Sequence, residues 1–255
     1  MRYPVQMLFL LLEHRFSKEF PELRIISKSE SLLHRFIGWV LRFPWYPKKW
    51  AINPYYLTDY WTTIGYKIAH PKTDSADEIY SSWDILCHER VHVKQAYKYG
   101  RFLMGALYLL GTPVYLLLFC ILSLLLLPLW LYISEWWISL ILVCIGFLLS
   151  SPFPFGYFRA KFELEAYTVS MAITYWTTGR LTNNYIADLV KVFTGSNYFF
   201  MWPLKTMVLR WLTAARNSIK NGDIMLVGDD VEFYKKLYKT LNDWHLVRIE
   251  TSKKE

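Results

Sequence analysis

The sequence predicts a mainly α-helical membrane protein with a small β-sheet, and three observations predict it. The first is a pair of uncharged runs: no Asp, Glu, Lys or Arg occurs from Phe102 to Ile133, nor again from Trp136 to Phe158. Each exceeds the roughly 20 residues needed to cross the hydrocarbon of a bilayer. The second is helical periodicity over much of the remaining chain, with one alternating segment, 61–69, that reads as a strand. The third is composition: 54% of residues are hydrophobic, 18% aromatic and 20% charged, with the apolar residues gathered into one block.

Taken in order, residues 3–12 form an apolar stretch too short to span a bilayer. No small-residue cleavage site follows before Glu13, so no secretory signal is read. After a polar segment ending at Ser31, Leu32, Leu33, Phe36, Ile37, Val40 and Leu41 recur at helical spacing, with Trp39, Trp45, Lys48, Lys49 and Trp50 nearby. This pattern predicts an interfacial helix with an aromatic anchor, the plainer alternative being a core-facing helix. Residues 1–56 thus form an N-terminal amphipathic, interfacial region. The strand places Ile64, Tyr66 and Ile68 on one side and stops at His70-Pro71, where His70 reads as a turn residue. A helix carrying Ile79, Trp83, Leu86, Val93 and Tyr97 follows and ends at Gly100.

The two uncharged runs meet at Glu135 and predict a transmembrane hairpin over 102–158, its first span kinked or ended by Pro113 or Pro128. Arg101, Arg159 and Lys161 mark the shared end as cytoplasmic, because the tip carries neither Lys nor Arg. Phe162, Ala166, Val169 and Ile173 predict a helix closed by Gly179. Shorter helices follow over 183–194, from Leu204 to Ile219 and over 231–241, with an aromatic loop at 198–203. Segments 57–101 and 159–255 together make one domain, into which the hairpin is inserted.

The net charge of +8 does not by itself indicate nucleic acid. Its Lys and Arg are interleaved with Trp, Tyr and Leu on amphipathic segments, a pattern that suits anionic lipid headgroups. No nucleic-acid partner is expected; a lipid bilayer is. Cys87, Cys120 and Cys144 show no paired spacing, which argues against a disulfide framework. Cys87 points about 100° away from its neighbour His88 on a helix and reads as a packing residue.

The chemistry is concentrated in His88-Glu89-Arg90-Val91-His92. On a helix the imidazoles at i and i+4 share one face and form a metal pincer, and Glu89 can take a proton from an activated water. A catalytic zinc needs a third ligand from another element, and the segment 162–167 offers Glu163 and Glu165. These two lie about 200° apart around a helix, so at most one faces the metal. The bland alternative is a solvated helix that happens to carry two His and a Glu.

With strand, motif helix, uncharged hairpin and Glu-bearing helix in this order, the chain resembles an integral-membrane zinc metallopeptidase of the gluzincin type. The plan is that of the CAAX prenyl protease and the bacterial heat-shock membrane protease. There a two-span hairpin and a Glu-x-x-Ala-Asp helix follow the His-Glu-x-x-His helix. The corresponding residues here are Glu163-Leu164-Glu165-Ala166-Tyr167, with Tyr167 where those proteases carry Asp. The chain is also similar to uncharacterised phage-encoded and bacterial proteins with a Thr-Thr-Ile-Gly strand, here Thr62 to Gly65, and an Arg-x-x-x-Glu helix, here Arg159 to Glu163.

The resemblance covers roughly residues 61–176. It implies a zincin-like metallopeptidase core with an inserted transmembrane helical hairpin. Zn2+ would be held by His88, His92 and Glu163, with Glu89 as general base. The substrate would be a peptide or protein, held along the strand by main-chain pairing. The chain would be an integral membrane protein with its metal site facing the cytoplasm. The alternative is a zincin-fold protein that binds metal, or interacts with membranes, without proteolysis.

Overall fold

The first helix, α1 (Arg2–Glu19), buries Leu8, Phe9, Leu12 and Phe16. Their i, i+1, i+4 and i+8 spacing makes one face of a helix, and that face is part of a hydrophobic core. The computed structural model describes residues 2–42, 55–73, 75–110, 156–195 and 201–222, with isolated positions at 141, 144–146, 148 and 239. The chain divides into two compact units. One comprises 1–104, 165–182 and 214–255, the other 105–164 and 183–213.

In the first unit a three-stranded sheet is built from β1 (Arg24–Ser27), β2 (Thr62–Ile64) and β3 (Lys67–His70), in the order β1-β3-β2. β1 runs parallel to β3, and β2 is antiparallel to it, pairing Ile64 with Lys67 and Thr62 with Ala69. The continuous strand expected over 61–69 is therefore a hairpin. Gly65, at φ 60°, makes the two-residue turn with Tyr66, since a left-handed position suits the twist of a tight hairpin and glycine takes it without strain. β1 falls in a segment that sequence reads as merely polar.

Helix α2 (Leu32–Arg42) turns His34 and Gly38 inward and leaves Leu32, Leu33, Phe36 and Trp39 exposed. The Trp-Lys cluster at 45–50 lies outside the described residues. Helices α3 (Ala76–Ser81) and α4 (Trp83–Tyr99) divide one expected helix at Ser82, and Gly100, at φ 80°, ends α4. The core joins α1, Ile68 of β3, Leu86, Cys87, Val91 and Val93 of α4, and Ala166, Val169 and Ile173 of a later helix, α6 (Tyr157–Thr178). Burial pushes the Cys87 thiol up to about 12, so it stays protonated and packs as a small apolar group.

The second unit contains most of α5 (Arg101–Leu109), the first residues of α6, α7 (Asn183–Thr194) and the start of α8 (Lys205–Lys220). Tyr157, Trp202 and Trp211 cluster there, with ring centroids 5.7 to 6.2 Å apart. Lys161 lies 5.1 Å over the Trp211 ring. The helix expected over 231–241 lies outside the described residues, apart from Lys239.

The expected fold class and localisation require correction. The architecture is mainly helical with a small sheet, and among the described residues no helix is long and apolar enough to cross a membrane. α5 is uncharged after Arg101 but has nine residues, about 13 Å of helix against about 30 Å of hydrocarbon. α6 has the length, at 22 residues, but carries Arg159, Lys161, Glu163 and Glu165. The reading as an integral membrane protein, with a transmembrane helical hairpin and a cytoplasm-facing site, is set aside. Most of the remainder of the expected hairpin, including Pro113, Pro128 and Glu135, lies outside the described residues.

Two buried cations tie the first unit together. Lys28, fully buried, donates from Nζ to the carbonyls of Tyr56 at 2.8 Å and Tyr60 at 2.5 Å, and sits 3.9 Å over the Tyr56 ring. Burial lowers it to about 8, against the opposing pull of Glu89, so it is charged at neutral pH. Its neighbour His34, 2.7 Å from the Tyr56 hydroxyl, is lowered to about 4 by burial and by Lys28 and Lys67, and is neutral. Arg90 of α4, 1% exposed, grips Glu19 at the end of α1 with two bonds, Nε to Oε2 at 3.1 Å and a terminal nitrogen to Oε1 at 2.5 Å. Phe16 and Phe20 cover the guanidinium. Truncating Arg90 leaves a half-buried carboxylate and a cavity, so Arg90→Ala is expected to lower unfolding free energy by about 3 kcal/mol in urea melts. A loss near zero would contradict the role given to this pair.

Candidate metal centre

Helix α4 presents His88 and His92 one turn apart, as the i, i+4 spacing requires, with ring centroids 5.2 Å apart and edge-on. Glu163, carried by α6 and 3% exposed, joins them: one ligand atom from each residue lies within 4.8 Å of the other two. Tetrahedral ligands about 2.1 Å from one ion stand about 3.4 Å apart, so closing the set needs about 0.7 Å of movement per atom. Such shifts are within the reach of side chains. The His/His/Glu group can therefore hold a metal ion.

For His92 a neighbour decides which ring nitrogen faces the ion. Gln95, three residues after His92 on α4, donates from Nε2 to Glu165 Oε2 at 2.7 Å. This orients the amide, so Gln95 Oε1, 2.9 Å from His92 Nδ1, is an acceptor. His92 thus carries its proton on Nδ1 and its lone pair on Nε2, the ligand form. His88 Nδ1 lies 3.1 Å from Ser170 Oγ, and the Ser170 hydroxyl also reaches the Ala166 carbonyl at 3.5 Å. The Tyr167 ring packs edge-on against His88 at 4.7 Å. Glu163 Oε1 accepts a hydrogen bond from the Tyr108 hydroxyl, which orients the carboxylate.

Glu89, 7% exposed, projects about 100° from His88 and reaches the sheet, where Thr63 Oγ1 of β2 donates to its Oε2 at 2.6 Å. That bond holds one carboxylate oxygen against the sheet. Glu165, the other candidate for third ligand, is occupied with Gln95. His70 ends β3 with its Nδ1 2.8 Å from the Pro71 carbonyl, outside the metal group. The sequence does not show Gln95, Ser170, Thr63 or Tyr108 as hydrogen-bond partners of the histidines and glutamates. Gln95 had a local signal, an amide three residues beyond the second histidine on the same helix. Thr63 and Tyr108 had none, since their partners are 26 and 55 residues away.

No family model, curated protein or solved structure matches this chain. Any functional reading therefore rests on the site residues themselves.

The geometry gives the two glutamates different parts. Glu163→Ala is expected to lose most bound zinc after dialysis against a weak chelator. Glu165→Ala is expected to retain it, with affinity about tenfold weaker, the effect of releasing an imidazole's anchor. Elemental analysis checks both, and equal losses would contradict the assignment.

Proposed function

We propose that this chain is a zinc-dependent peptidase whose ligand set is of the gluzincin type. The observation that carries this reading is a buried glutamate joined to a His-Glu-x-x-His pair within 4.8 Å. Two imidazoles and one carboxylate suit zinc and leave a coordination position open. When bound, zinc supplies Lewis acidity that polarises the scissile carbonyl and acidifies a water.

The chain's own residues do the rest. Gln95 keeps the His92 proton on Nδ1, Ser170 hydrogen-bonds the His88 Nδ1, and Tyr108 holds the Glu163 carboxylate. Glu89 takes the proton of the attacking water on its carboxylate and passes it to the leaving amine as the peptide bond breaks. Thr63 keeps that carboxylate at the edge of the sheet. β2 pairs with β3 on one side and has no strand on its other side among the described residues. An extended peptide can add there by main-chain hydrogen bonds, with its scissile bond beside Glu89.

A second reading, a metal-holding protein without hydrolysis, is favoured by Tyr167, whose ring occupies the flank of His88. One experiment separates the two. Wild type and Glu89→Gln are incubated with a peptide mixture and the cleavage products identified by mass spectrometry. The peptidase reading expects Glu89→Gln to bind zinc as wild type does and to cleave about a hundredfold more slowly or less. Zinc-loaded wild type that cleaves nothing would leave the second reading.

A further inference from the structure

Beside the β2–β3 turn lies an open cleft of about 770 Å³. Three cations border it, Arg24 of β1, Lys67 of β3 and Arg101 of α5, against a single carboxylate, Glu22. All three are exposed, and among the described residues none of them forms an ion pair. Arg24 and Lys67 are register partners in the parallel ladder. Their side chains therefore leave the same face of the sheet one strand spacing, about 4.8 Å, apart. Like charges so placed destabilise the pairing unless an anion lies between them. The walls are apolar: Phe102 is 80% exposed, Leu33 52% and Ile64 37%. A site with unpaired positive charges above exposed apolar surface matches a ligand carrying both carboxylates and bulky side chains.

The cleft begins where the proposed substrate strand would pass. Ile64, in its wall, follows Thr63, the residue bonded to Glu89. A chain rising about 3.3 Å per residue along β2 enters it within about four residues of the bond beside Glu89. We propose that this cleft binds acidic side chains of the peptide substrate and selects extended segments in which Asp or Glu accompany bulky apolar residues. The proposal rests on the peptidase reading and names its substrate class.

Binding is measured separately from turnover, with the full-length, zinc-loaded Glu89→Gln protein. Two fluorescein-labelled peptides serve as probes, equal in length and apolar content, one containing several Glu and the other Lys at the same positions. Fluorescence anisotropy is expected to show the Glu peptide binding about tenfold more tightly, the scale of a few exposed charge contacts acting together. Adding Arg24→Glu and Lys67→Glu is expected to abolish or invert the preference with zinc content unchanged, and Arg24→Ala with Lys67→Ala to abolish it without inversion. Equal binding of the two peptides, or a preference that survives charge reversal, would overturn the proposal. Displacement of the Glu peptide by an oligothymidine as readily as by its unlabelled form would overturn it in favour of a general polyanion site. Acid-selective binding by a protein whose wild type cleaves no peptide would sink the peptidase reading while leaving the cleft a peptide site. Cleavage indifferent to acidic residues would sink the cleft assignment alone.

Discussion

Helix α4 is buried over much of its circumference, and every buried polar side chain it carries must find a partner or leave a charge desolvated. Successive residues on a helix diverge by about 100°, so His88, Glu89 and Arg90 point in three directions. His88 meets Ser170 of α6, Glu89 meets Thr63 of the sheet, and Arg90 meets Glu19 at the end of α1. His88 and Glu89 thus belong to the fold and to the candidate site at once, while Arg90 serves the fold. Burial makes the contacts obligatory, and the sequence of the helix decides which neighbour each one reaches.

Fixing the imidazole protons follows from this constraint. A buried neutral histidine can carry its proton on either nitrogen, and a ligand must carry it on the one facing away from the metal. The chain from Glu165 through Gln95 to His92 settles this, because a carboxylate accepts from the amide nitrogen and so turns the amide oxygen toward the ring. Glu165 is therefore part of the site without being a ligand. Its nearness in sequence to Glu163 reflects two residues on one helix serving different layers around the same metal group.

Much of this was legible in the sequence, and the gaps have physical causes. The motif helix and the Glu-bearing helix follow from their periodicity, and Gly100 and Gly179 end them at positive φ. The alternation of Ile64, Tyr66 and Ile68 counts straight through a glycine, so a hairpin looks like one strand. β1 is a four-residue strand with Arg at one end and Ser at the other, too short to show a period. The charge-free stretches point to a bilayer by their length and apolarity in sequence. Among the described residues, α5 is apolar but short, and α6 is long but charged. The partners of the imidazoles were illegible in the case of Ser170, 82 residues from His88, because long-range pairing leaves no local trace.

The central claim is that α4 and α6 hold one metal ion through His88, His92 and Glu163. The most direct measurement is the zinc content of the purified full-length protein beside His88→Ala, both dialysed against the same micromolar free zinc. Elemental analysis is expected to find about one zinc per wild-type chain and nearly none in His88→Ala, since two remaining ligands hold the ion far less tightly. Wild type without zinc, or both proteins with the same amount, would contradict the account.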